Sequence, residues 1–187
     1  MRKTGERVLH EGRWFVFREK TFVNDAGQPV AWECITRRNS RHVASLVTRL
    51  VPSGRYVILE QWRQGLEGWV LGFPAGVVPD TATDDAAVEA AVLRELEEEA
   101  GYFGRIVGVS PPCPVNAGFS SDLFHVYEVE VDETDPRNAR PEQRLEPAEE
   151  IRVHLVHPDD MAAFFAAKAA EGVLMGAGLW TLFGLRR

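Results

Sequence analysis

Arg94-Glu95-Leu96-Glu97-Glu98-Glu99-Ala100-Gly101-Tyr102 is the stretch on which the reading of this chain turns. It closes a segment beginning near Asp85 in which Ala86, Ala87, Ala90, Ala91, Leu93 and Leu96 favour a helix, and Gly101 is a natural stop just past the end. Glu95, Glu98 and Glu99 stand at i, i+3 and i+4, so one helix face carries all three. Like charges at that spacing repel by roughly 0.2–0.5 kcal/mol per pair, and the negative end of the helix dipole adds ~0.3–1 kcal/mol per exposed acid. Local stability therefore does not account for the cluster. A divalent cation held by the carboxylates does, because hard oxygen ligands suit Mg²⁺, Mn²⁺ or Ca²⁺. A solvated acidic face is the plain alternative.

Upstream lies Gly72-Phe73-Pro74-Ala75-Gly76, followed by a loop and then the helix. In these residues the chain resembles the Nudix hydrolases, whose signature runs G-x5-E-x7-R-E-U-x-E-E-x-G-U, with U aliphatic or aromatic. From Arg94 to Tyr102 every specified position matches. The first half departs from the pattern. About four more residues separate Gly76 from Arg94 than the signature allows, Ala86 takes the place of its first glutamate, and Gly72 stands where close relatives carry another. Asp84, Asp85 or Glu89 substitutes for the missing acid, or Asp84 and Asp85 cap the helix start.

The resemblance implies an α+β fold, a Nudix-type α/β/α sandwich around a mixed sheet. A small N-terminal antiparallel β-subdomain, residues 1–46, would precede the hydrolase domain, residues 47–187. It implies that the Ala75 carbonyl with Glu95, Glu98 and Glu99 holds Mg²⁺, or Mn²⁺ in its place. It also implies a catalytic glutamate just before a late strand. Glu149 matches best, with Glu150 as its neighbouring alternative, and Glu98 takes a catalytic as well as a metal-holding part.

The composition is that of an ordinary folded protein. At 187 residues, 45% hydrophobic and 26% charged, the chain is long enough for one sizeable core with an accessory piece. A net charge of −7 disfavours a duplex-binding protein, so no nucleic-acid partner is expected, while small phosphate-bearing ligands stay open because a bound cation inverts the local charge. Cys34 and Cys113 form neither a disulfide framework nor a metal-ligand spacing. No apolar leader segment and no run of about 18 apolar residues occurs, so the expectation is a cytoplasmic protein without a membrane partner.

The rest of the chain reads mostly as strands. Residues 8–20 and 30–37, joined by Asn24-Asp25-Ala26-Gly27-Gln28-Pro29, suggest a small antiparallel sheet, and residues 42–51 and 55–63 suggest a hairpin. Residues 68–76, 105–110, 123–131 and 149–156 are further strand candidates, and a helix is expected from Pro158, with Met161, Phe164, Phe165 and Val173 on its apolar side. The polar, proline-rich run Asp132–Pro147 reads as a long loop of the kind that serves as a lid.

Trp14 and Trp32 are core residues on general grounds. Trp32-Glu33-Cys34-Ile35-Thr36-Arg37 nevertheless resembles the W-E-x-x-x-R stretch of the ADP-sugar pyrophosphatase branch of the Nudix hydrolases, whose members are dimers that exchange N-terminal strands. That resemblance implies a homodimer in which Trp32, and Trp14 with it, stacks on the base of a nucleoside diphosphate substrate. Arg37 would sit near its sugar or phosphates. Arg63, in a Gln61-Trp62-Arg63 triplet similar to one common in the family, is implied as a diphosphate or ribose contact, against a plain surface arginine. The implied reaction is hydrolysis of a nucleoside diphosphate linked to a sugar, with ADP-ribose first among substrates. GDP-mannose, a dinucleotide or coenzyme A is an alternative substrate, and a ligand-binding protein that has lost turnover is the non-enzymatic alternative. Asp122 is either a support for catalysis or a plain strand-start residue, and His125 is read as structural.

Overall fold

The computed structural model describes residues 1–185. Its N-terminal part is a three-stranded antiparallel sheet, β1 (Arg2–Glu11), β2 (Phe15–Val23) and β3 (Pro29–Arg37). The single strand expected over residues 8–20 is in fact two. The chain folds back at Gly12–Trp14, where the Gly12 amide donates to the Phe15 carbonyl at 2.8 Å. Charged β1 goes unrecognised in sequence because its side chains find partners only across the sheet: Arg7 pairs with Glu19 at 2.8 Å and Glu6 with Arg18 at 2.9 Å.

The larger sheet is mixed. β4 (His42–Val51) lies parallel to β9 (Leu123–Asp132), which carries β8 (Arg105–Val109) antiparallel on its far side. β5 (Tyr56–Arg63) meets β4 only at the hairpin end, Arg49 opposite Tyr56, and then diverges. The two edges so freed are taken separately. β7 (Ala75–Val77) pairs with β4, and β10 (Ile151–Val156) pairs with β5 along six residues. β6 (Gly68–Gly72) and β11 (Leu174–Met175) complete the outer side. The boundary expected at residue 46 falls inside β4, since the chain leaves the small sheet after Arg37.

Strand alternation splits the apolar residues into two cores. Ala44, Leu46, Leu50, Val57 and Leu59 face α1 (Asp85–Ala100), whose Val92 and Leu96 are fully buried among them. Each such side chain contributes roughly 1.5–3 kcal/mol. Ile58, Leu71 and Val156 face the other way, against α2 (Met161–Ala170) and the C-terminal turns from Ala177 to Gly184. Val173, expected on the helix, is buried just beyond its end. The result is helix, sheet, helix, with the two diverging strand pairs forming a wedge under the C-terminal half of α1.

Candidate active site

α1 starts where a side chain can cap it. Asp84 accepts from the Ala87 amide at 2.8 Å, which is the capping role and not that of a displaced signature acid. The helix stops at Gly101, whose φ of 76° is left-handed backbone that glycine adopts without strain. Val92, Leu96 and Glu99 follow one another on the face that packs the core, so a glutamate occupies a position where periodicity calls for an apolar residue. Glu99 is only 4% exposed.

Its carboxylate accepts from the Ala75 amide on β7 at 2.8 Å, which joins the helix to the Gly72–Gly76 segment. Beside it the Glu95 carboxyl lies against Gly76. A Cβ on that glycine would stand 2.0 Å from Glu95 Cδ, so the side chain has its place only because residue 76 lacks one. Burial raises the pKa of both groups. Glu95 is pushed up to about 7 by burial and by the charge of Glu98, against the pull of Arg94. Glu99 is pushed up to about 8 by burial, the Ala75 amide opposing and Glu95 adding to the shift. Arg94 reaches Glu98 at 3.5 Å and Glu95 at 3.8 Å, which braces the acids along the helix surface.

A cavity of about 260 Å³ gathers these groups. Arg94, Glu95, Glu98, Glu99, Arg144, Glu146 and Glu149 line it, five acids against two arginines, and Arg144 is already paired with Glu97. Glu149 therefore joins the helix acids. Glu150 does not: it is exposed, and its carbonyl accepts from the Trp62 amide in the strand ladder. A concavity of about 620 Å³ on the opposite sheet face, between Ser45, Phe73 and Leu182, is larger, but its acids are only Glu128 and Glu130, and Glu130 is paired with Arg49 and Arg105.

The expected substrate residues are more scattered. Arg63 is exposed at the end of β5, and its positive charge acts on Glu99. Arg37 is tied to Asp122 at 3.0 Å and lies over the Phe15 ring at 4.9 Å. Asp122 thus anchors the small sheet to the body instead of facing the acidic cavity. Trp32 is 53% exposed and donates its indole N–H to the Gly118 carbonyl at 2.7 Å, lining a second cavity of about 270 Å³ with Lys20 and Phe22. Trp14 is 57% exposed at the other end of β2, under the Arg13 guanidinium. Trp32 is opposite Lys20, six residues along the chain from Trp14, so within one chain the two positions lie roughly 20 Å apart along the strands. Neither is a core residue.

A NUDIX domain model matches residues 40–174, more than half the chain. The chain belongs to the Nudix family. Mouse ADP-sugar pyrophosphatase is 30% identical over 175 residues, 90% of this chain and 78% of that protein. The ADP-ribose pyrophosphatase of Saccharomyces cerevisiae is 36% identical over 109 residues, 56% of this chain and 46% of that one. A crystal structure of an ADP compounds hydrolase superposes with a TM-score of 0.66 at 16% identity, covering 89% of this chain and 84% of that one, which speaks to the Nudix fold.

The Nudix acids here suit a hard divalent cation by donor type, all being oxygens around a partly buried cavity with excess negative charge. Among the described residues no three of them already converge on one point. Three of the five are engaged elsewhere: Glu99 with the Ala75 amide, Glu98 with Arg94, and Glu149 with the Glu146 amide at 2.9 Å.

Sequence reasoning missed a second charged cluster on the other side of the sheet. Glu60, 1% exposed, accepts from Arg152 at 2.6 Å, His154 at 2.8 Å and Lys168 at 2.9 Å. A glutamate ending the apolar run Val57-Ile58-Leu59 was the available signal. His125 meets His42 at 3.3 Å and carries no role in the acidic cavity.

Proposed function

We propose that this Nudix protein hydrolyses a nucleoside diphosphate linked to a sugar, with ADP-ribose as first substrate, giving AMP and ribose 5-phosphate. The observation that carries the reading is the acidic cavity at the end of α1, where Glu95 and Glu99 are packed against Ala75 and Gly76 and face Glu149. The names of the mouse and yeast relatives direct it toward ADP-sugars.

Glu95, Glu98, Glu99 and the Ala75 carbonyl would hold Mg²⁺, or Mn²⁺ in its place. A cation bound there supplies positive charge against the phosphoryl oxygens and acidifies a bound water. The chain's own groups do the remainder. Glu149 orients the attacking water and takes its proton, and its place in the cavity lining supports it over Glu150. Arg63 faces the diphosphate, where its planar fork suits phosphate oxygens. Arg94 keeps Glu95 and Glu98 from repelling each other out of place.

Trp32 offers its exposed face to the base beside Lys20 and Phe22. A homodimer exchanging its N-terminal sheets would bring Trp14 to that site from the second copy, since within one chain it lies at the far end of β2 from Trp32. None of the described helices is long and apolar enough to cross a membrane.

The test is phosphate release, with added phosphatase and Mg²⁺, from a panel of ADP-ribose, other ADP-sugars, GDP-mannose, a dinucleotide and coenzyme A. ADP-ribose is expected to give the highest kcat/KM. Preference for another member replaces the substrate, and turnover of none removes the enzyme.

A further inference from the structure

We infer that Gln143, through its side-chain amide, is a positioning residue that holds Glu149 in register with the acidic helix; the inference rests on the hydrolase reading above. The loop from Pro141 to Glu150 returns over the C-terminal end of α1, where a helix leaves its last carbonyls without intrahelical partners. Here the last turn holds no basic residue to meet them. The loop does so instead. The Arg144 amide donates to the Glu98 carbonyl at 2.8 Å, and Gln143 Nε2 donates to the Glu99 carbonyl at 2.6 Å and to the Ile151 carbonyl at 3.3 Å.

Both hydrogens of one amide are thus used, one on the helix residue whose side chain is deepest in the acidic cavity and one on the first residue of β10. Glu149 lies two residues before Ile151. Its neighbours are held as well, the Glu150 carbonyl by the Trp62 amide at 3.0 Å and the Ala148 carbonyl by Gln64 at 2.6 Å. Gln143 therefore ties this fixed segment to α1 across 44 residues of sequence, beside the Arg144 guanidinium, which pairs with Glu97 on the same helix. The approach is close enough that position 101 has to be glycine, since a Cβ there would stand 2.4 Å from the Glu142 nitrogen.

Because Gln143 acts on the backbone and does not itself line the acidic cavity, its loss is expected to separate kcat from KM. A displacement of about 1 Å in a reacting group costs up to ~10²-fold in rate. The experiment compares wild type, Gln143→Met, Glu149→Gln and the double variant, measuring kcat, KM for the substrate and the Mg²⁺ activation constant, with thermal melting as control. Gln143→Met, similar in length but without donors, is expected to lower kcat at least about tenfold with KM and the Mg²⁺ constant within about twofold. In the Glu149→Gln background the same change is expected to have no further effect on kcat, because residues acting as a unit are non-additive.

An equal loss in both backgrounds, or an unchanged kcat in Gln143→Met, overturns the inference while the hydrolase reading stands. A Glu149→Gln variant with full activity overturns both the role of Glu149 and the inference. If Gln143→Met does not fold, Gln143→Ala, which removes the amide without adding charge, takes its place in the same cycle.

Discussion

Replacing Glu60 by glutamine tests whether the buried carboxylate holds α2 and β10 to the sheet. In the native protein its Oε1 accepts from Arg152, its Oε2 accepts from His154 and Lys168, and the side chain is 1% exposed. The substitution keeps the shape, retains one acceptor oxygen and turns an N–H₂ toward cations. Removing one partner of a buried ion pair typically costs about 3–5 kcal/mol, because the remaining charges stay behind uncompensated. Two features set the expectation at the lower end. Arg152 is 58% exposed and stacks on Trp69 at 3.9 Å, and Lys168 keeps Glu171 at 2.8 Å. A loss of about 3 kcal/mol lowers the melting temperature of a domain this size by roughly 6–12 °C.

The pH dependence follows from the same contacts. Burial acts to raise the Glu60 pKa, but the hydrogen bonds from Lys168, His154 and Arg152 and the charge of Lys168 outweigh it and leave it below 4.5. A depressed folded pKa gives stability that is fully present above the unfolded value and lost as pH falls from there through the folded value. Urea unfolding of wild type and Glu60→Gln should therefore differ by about 3 kcal/mol at pH 7.5, with the difference shrinking below pH 4.5. A difference under about 1 kcal/mol at pH 7.5, or one that is the same at pH 3.5, refutes the reasoning.

Three further outcomes concern the acidic site and the base platform. Glu99→Gln or Glu95→Gln should each reduce Mg²⁺-dependent turnover by at least about 10²-fold while circular dichroism shows a folded protein; near wild-type turnover in either removes that residue from the metal set. Gly76→Ala drives a methyl group into Glu95 and should weaken Mg²⁺ activation about tenfold or more without unfolding, so an unchanged Mg²⁺ titration contradicts the packing described. Trp32→Ala should raise KM for ADP-ribose by roughly tenfold or more with little change in kcat, as loss of one stacking contact of about 1–3 kcal/mol requires; an unchanged KM places the base elsewhere.

Much of the site was legible because it is local. The spacing of Glu95, Glu98 and Glu99, the stop at Gly101 and the resemblance of Arg94–Tyr102 to the Nudix signature all lie within one helical turn or two. Asp84 as cap could be read from its place before the first alanines. Assignments that needed a partner from elsewhere were harder. β1 has the composition of a solvated segment and becomes a strand only because β2 supplies the opposite charges. Glu149 and Glu150 are adjacent, equally acidic and alike in pattern. Only the register of β10 on β5 turns one into the cavity and leaves the other outside it. Gln143 carried no signal, since a glutamine in a polar loop is ordinary until two carbonyls are found on it.

Read alone, the amino-acid order determines the acidic helix, the alternating strands and the family they resemble, because periodicity and capping act between residues a few positions apart. It took the folded chain to decide which distant groups share a charge. The burial that pushes Glu99 up, the three hydrogen-bond donors gathered on Glu60 and the ties from Gln143 all depend on strands and loops dozens of residues apart meeting in space, and electrostatic energy is set by that distance and by the water excluded.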